Sequence, residues 1–238
     1  MKSCSCWLLM VVLITGSQSE ASDSEGVRPQ QLTFSYTSHP IVESVLLPVV
    51  RQAYQNLGIE VEFVAVESQR AHQLLRDGLV DGDVARLSEV AYRMQNVVLV
   101  TMLDKLSLSL RCRPDIPCTT EDVNNTKLRI FMASSRTTLA FLNLNYKAEL
   151  YPLRDWSQIN EMYQQNKIER FLWIEGTLTL SPVVENVVVL PLDSKPLEIY
   201  HLLHTSYAYL VPQATAQIEL LLDAHRAEHG LGATKSKN

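Results

Sequence analysis

The chain has 238 residues, 46% of them hydrophobic, with 21 basic against 26 acidic side chains and a net charge of −5. That is enough for one large domain or two modest lobes, and mild acidity without a basic run argues against a nucleic-acid partner. Residues 1–21 have the build of a cleaved export signal. Lys2 precedes the apolar run Trp7–Ile14, Thr15–Ser24 is small and polar, and Ser19 and Ala21 are the small residues that a signal peptidase reads. The run is too short to span a bilayer, which takes roughly 20 apolar residues. Cleavage is expected after Ala21, which delivers residues 22–238 to the periplasm or the medium. An uncleaved amphipathic anchor is the alternative.

From Gln31 the pattern alternates strand and helix. Leu32–Tyr36 alternates apolar and polar residues as a half-buried strand does. Ile41–Leu57 reads as a helix stopped by Gly58, with Pro48 marking a kink or the real beginning. Val61–Val66 is a second strand. Ser68 is the expected N-cap of a helix whose Ala71, Leu74 and Leu75 share one face, and Gly78 stops it. Leu79 and Val80 open a third strand, and Val97–Met102 forms a fourth.

After Lys105 the same grammar restarts. Leu106, Leu108 and Leu110 alternate with polar residues. Thr119 or Thr120 caps a short helical turn, Leu128–Met132 is a strand, and Ser135–Leu144 is helical. Asp155 with Gln158 resembles a capping box ahead of Trp156, Ile159 and Met162. Phe171–Ile174 and Val187–Leu190 are buried strands, and Ile199–Leu203 is a last one. A helix from about Pro212 to His229 ends at Gly230, and the tail to Asn238 is expected to be disordered. Strands alternating with helices imply parallel pairing and an α/β architecture.

Cys112 and Cys118 survive signal removal. In an oxidising compartment an isolated close pair reads first as a disulfide. A metal site would need two further ligands at suitable spacing. His225 to His229 has the H-x-x-E-H pattern of inverted zinc peptidases, but too little chain follows for the third ligand that class needs. His225 also continues the apolar face of Ala214, Ile218, Leu221 and Leu222, as a packing residue would. His201 and His204 fall on opposite faces of a strand. With no phosphate loop, nucleophile elbow or metal-ligand cluster, no cofactor is expected.

The segment Glu67–Val100 is the most motif-like. It carries Arg70, then Gly78-Leu79-Val80-Asp81-Gly82-Asp83-Val84-Ala85-Arg86, then Asn96-Val97-Val98-Leu99-Val100. In these residues the chain resembles the solute-binding proteins of amino-acid ABC transporters (bacterial family 3, type II periplasmic binding fold). The resemblance implies an α/β protein of two lobes, with two mixed sheets joined by a two-strand hinge. Lobe 1 would comprise residues 22–105 and 193–238, and lobe 2 residues 106–192, with crossings near Asp104–Leu106 and Leu190–Asp193. It further implies a monomer that captures a small polar solute, an amino acid or related carboxylate, by hinge closure and without catalysis. A membrane permease or a sensor would be its partner.

Ligands of open α/β sheets sit beyond the carboxyl ends of strands. Arg86 is expected there, where a guanidinium holds a carboxylate through two parallel hydrogen bonds. Arg93 falls where amino-acid-binding relatives place their carboxylate-holding arginine, and Arg70 completes the motif on the preceding helix. Surface pairing of Arg86 and Arg93 with Asp83 and Glu89 is the plain alternative. In lobe 2, Ser135 and Thr137 offer hydroxyls at a strand-to-helix junction, or serve as helix caps; the family's glycine is missing there. Glu175 lies within one residue of the acidic position that binds an amino group in relatives, or is an exposed loop carboxylate. Tyr36 and Trp173 supply aromatic faces, or belong to the core. Two other functions stay open. One is an exported dehydratase-like enzyme on the same fold, with Glu175 facing Arg86 as general acid or base; the other is a sensory module without a transporter.

Overall fold

In a computed structural model the described residues are 28–231, except 135–138, 140, 141, 143, 154, 179–185, 193 and 194. The expected export signal, Ser135 and Thr137 with most of their helix, Asp193 and the C-terminal tail lie outside them. The strands are β1 (Gln31–Tyr36), β2 (Glu60–Ala65), β3 (Gly82–Leu87), β4 (Val97–Cys112), β5 (Arg129–Ala133), β6 (Glu149–Leu153), β7 (Arg170–Glu175), β8 (Val188–Pro191) and β9 (Leu197–His204). The helices are α1 (Leu47–Asn56), α2 (Ser68–Arg76), α3 (Ser88–Ala91), α4 (Trp156–Gln164) and α5 (Val211–Glu228).

One mixed sheet runs in the order β2-β1-β3-β9-β4-β7-β5-β6, with β8 also on β4. It contains two parallel triads. In the first, β1 lies between β2 and β3; in the second, β5 lies between β6 and β7. The long strand β4 joins them. Its residues Val97–Leu106 pair with β9, and Ser107–Cys112 pair with β7. The sequence suggests a break at Lys105, but the ladder to β7 starts at Ser107, directly where the ladder to β9 stops, so one strand continues. The return chain runs antiparallel to the same β4, first as β8 and then as β9.

Most helix ends fall where the residues demand. Gly58, Gly78 and Gly230 all have the positive φ that stops a helix. Pro48 is accommodated by a π-helical turn over Val42–Leu46, where the Leu47 N–H reaches back to the Val42 carbonyl. The Asp155 carboxylate accepts from the Gln158 N–H, and Thr119 with Asp122 makes a reciprocal cap. Two expectations shift. Glu67, not Ser68, is the extended residue before α2, and its side chain makes no cap bond. The third strand starts at Gly82, because Leu79 is exposed in the turn after Gly78.

The main core gathers Leu32, Phe34, Leu46, Val50, Tyr54, Leu103, Leu108, Leu110, Ile130 and Met132. The edge of the Tyr54 ring meets Phe34 at 4.9 Å between centroids. A Cβ on Gly82 would stand 2.5 Å from the Leu202 carbonyl oxygen and 2.8 Å from the Phe34 ring, so only glycine lets β1, β3 and β9 approach. A second cluster, Trp156, Ile159, Tyr163, Phe171 and Trp173, packs α4 on β7. Cys112 and Cys118 form a disulfide with Cα atoms 6.0 Å apart, which ties the end of β4 to the following loop. Among the described residues no helix is long and apolar enough to cross a membrane.

Candidate functional site

Each parallel triad has a point where the chain reverses its direction of travel across the sheet. After β1 the chain goes to one side for β2 and to the other for β3; after β5 it does the same with β6 and β7. Loops leave the carboxyl ends of the two neighbouring strands in opposite directions there, and the crevice between them binds ligands in open α/β sheets. In this chain those ends are Tyr36 and Leu87 in the first triad, and Ala133 and Glu175 in the second.

The two crevices meet. His39, in the loop after β1, stacks on Trp173 of β7 with centroids 5.3 Å apart and planes 23° from parallel. Burial pushes the His39 ring down to about 4, against the charge of Glu43, which acts the other way. The Arg111 guanidinium also lies over Trp173, at 5.0 Å, and Arg111 Nη2 donates to Glu175 Oε1 at 2.9 Å. Ser109 Oγ donates to the same oxygen at 2.8 Å. Beside this group Asp104 accepts from the Thr177 N–H at 2.8 Å and from its hydroxyl at 2.5 Å. Gly176 passes so close that a Cβ would overlap the Asp104 carboxylate and touch Ile41 of the first triad.

The sequence-expected residues are distributed unevenly over this geometry. Glu175 is at its heart, half-buried and bonded as described. Tyr36 stands half-buried at the end of β1, edge-on to Phe63. Trp173 is both core and aromatic wall: it is buried, yet it carries the contact to His39. Arg86 is buried on β3 and ion-paired with Asp83, a carboxylate with no exposure that also accepts from Ser35 Oγ at 3.0 Å. That pair is internal rather than superficial, and its charges act on His72 of α2, whose pKa is lowered first by burial and then by Arg86. Arg93 is exposed just after α3, and Arg70 is exposed on α2. Glu89 accepts from Ser88 Oγ.

Sequence reasoning missed Arg111, His39 and Asp104. A signal for Arg111 was present. Once Leu106, Leu108 and Leu110 face the core, Ser107, Ser109 and Arg111 must face the other side of the strand. For His39 no pattern exists, because a loop residue acquires its neighbour only through the tertiary fold.

No family model matches the sequence. No curated protein matches it either. Solved structures do match in three dimensions. A substrate-binding protein of an amino-acid ABC transporter from Streptococcus pneumoniae, AbpA bound to L-arginine, superposes with a TM-score of 0.64 at 11% identity, over 84% of this chain and 92% of that one. The VFT2 domain of BvgS from Bordetella pertussis, as a double mutant, gives 0.61 at 14% identity, over 83% and 91%. The ancestral amino-acid-binding protein AncCDT-1, a precursor of cyclohexadienyl dehydratase, gives 0.64 at 12% identity, over 84% and 95%. The chain therefore has the α/β fold of type II periplasmic binding proteins, the fold of family 3 solute-binding proteins and of the BvgS VFT domains.

Proposed function

We propose that this chain is an exported binding protein that closes on a small polar solute, an amino acid or a related carboxylate, for uptake or sensing. The observation that carries the reading is the convergence of both chain-reversal points on one place, with His39 of the first triad resting on Trp173 of the second. In this reading residues 22–105 and 193–238 form one lobe and 106–192 the other, hinged where β4 changes partner and where the chain returns from β8 to β9. A solute touching both lobes stabilises the closed form only through contacts that the open form lacks. Glu175 receives a donor group of the solute. Arg93 reaches from the rim for a carboxylate, Tyr36 lines the crevice, and Arg86 and Arg70 support its first-lobe wall; Ser135 and Thr137, outside the described residues, are the hydroxyls that the sequence offers to the solute.

Two structural neighbours support the reading: a transporter's substrate-binding protein bound to L-arginine and the periplasmic domain of BvgS. A membrane permease or a membrane receptor is accordingly the partner, and the binding protein itself is a monomer without catalytic activity. The test is a thermal-shift screen over amino acids, organic acids and polyamines. A solute at a hundredfold its dissociation constant adds about 2.7 kcal/mol of stability. Arg93→Ala should keep the solute-free transition and lose most of that gain. A screen in which no compound raises the transition defeats the proposal.

A further inference from the structure

Arg111 is the most under-bonded buried cation in the neighbourhood of the crevice. It is 4% exposed, and its Nη2 is engaged by Glu175, but Nε and Nη1 are buried without a hydrogen-bond partner among the described residues. A guanidinium has five N–H donors in a rigid fork, and desolvating them without acceptors is unfavourable. Glu175 spends one oxygen, Oε1, on both Arg111 and Ser109. Trp173 and Phe171 offer only ring faces and edges on this side of the strand, and the opposite β8 neighbour is Val189. Thr37 Oγ1 is likewise buried without a partner among the described residues, two positions before the His39 that stacks on Trp173. A protein that meant Arg111 only as a strut would satisfy it with a second carboxylate or with backbone carbonyls.

We infer that Arg111 is an anion anchor for the solute, and that the solute accordingly carries a carboxylate at its lobe-2 end. This rests on the solute-capture reading and narrows it to acidic solutes, acidic amino acids or dicarboxylates. When the lobes part, His39 leaves Trp173, the ring on which the Arg111 guanidinium also lies. A carboxylate then accepts from Nη1, on a guanidinium that Trp173 and Glu175 already hold in place. The neighbouring oxygen of Glu175, Oε2, accepts from none of the described residues and is open to an ammonium group on the same solute. A solute with both groups, such as L-glutamate, uses Arg111 and Glu175 together; one without the ammonium, such as succinate, uses Arg111 alone.

The experiment is calorimetric and thermal-shift titration of the full mature chain with L-glutamate, L-aspartate, succinate, L-alanine and L-arginine. It is run on the wild type, on Arg111→Met, which keeps the packing on Trp173, and on Arg111→Lys, which keeps the charge without the fork. The expected result is a rise in transition temperature with an acid and none with L-arginine, and at least a tenfold loss of acid affinity in Arg111→Met. Stronger binding of L-glutamate than of succinate identifies an acidic amino acid, and the reverse a dicarboxylate. Acid affinity unchanged within threefold in a folded uncharged variant, Arg111→Gln if Arg111→Met does not fold, overturns the assignment. A wild type that answers to L-arginine or L-alanine and to no acid also overturns it, while leaving solute capture intact. Silence from all five probes overturns the acidic class, and only silence across the broader screen defeats capture itself.

Discussion

Acidification should destabilise this protein through the buried ring of His201, and the size of the effect follows from its surroundings. His201 has no exposure. Its Nδ1 lies 2.9 Å from the Asp83 carbonyl oxygen, which can only accept, so Nδ1 carries the proton. Its Nε2, 2.9 Å from the Tyr54 hydroxyl, is then the acceptor. A second proton on Nε2 would turn Tyr54 from donor to acceptor and place a charge where no water reaches. Burial accordingly lowers the ring from 6.5 to about 4, while its backbone hydrogen bonds act the other way. Between those values the unfolded chain binds the proton and the folded chain does not. Stability is therefore full above 6.5, falls as the pH drops, and stops falling below about 4. The slope is about 1.4 kcal/mol per pH unit, so one ring is worth on the order of 3 kcal/mol across the window. Urea unfolding from about pH 7 to about pH 4.5, on the wild type and on His201→Gln, isolates the contribution because the other groups are common to both. Equal pH slopes for the two proteins would refute the reasoning.

Three further outcomes follow from single contacts. Arg86→Ala leaves Asp83 charged and wholly buried, and should cost about 3–5 kcal/mol in urea unfolding; an unchanged midpoint would mean that water reaches the pair. Gly176→Val drives a side chain into Asp104 and Ile41, and should cost about 1–3 kcal/mol while weakening the solute response, read in one thermal-shift series. Reducing the Cys112–Cys118 disulfide removes a short covalent loop and should cost about 2 kcal/mol, with Cys112→Ser giving a similar loss in chemical unfolding.

Much of the architecture was legible because its signals are local. Glycines at 58, 78 and 230 stop helices through their own backbone, and the alternation at Leu106, Leu108 and Leu110 marks a buried strand face whatever its partner. A third strand was legible near Leu79, but it runs Gly82–Leu87 and holds Arg86 within it rather than beyond its end. The bulge between Asp83 and Arg86 turns the guanidinium onto the chain's own carboxylate, and nothing in the spacing of the two residues distinguishes that from an outward pair. The continuity of β4 was hidden because the reason for it lies in two other strands, which hand the ladder over between Leu106 and Ser107. The site shows the same division. Glu175 was named from its match to the acidic position of the relatives, whereas His39 and Asp104 gain their contacts from segments far away in sequence.

Small-angle scattering of the protein, without solute and with a solute that raises its thermal transition, tests the two-lobed capture most directly. The radius of gyration should fall on binding, as lobes that part in the free form close over the solute. A bound solute that leaves the scattering curve unchanged would contradict it.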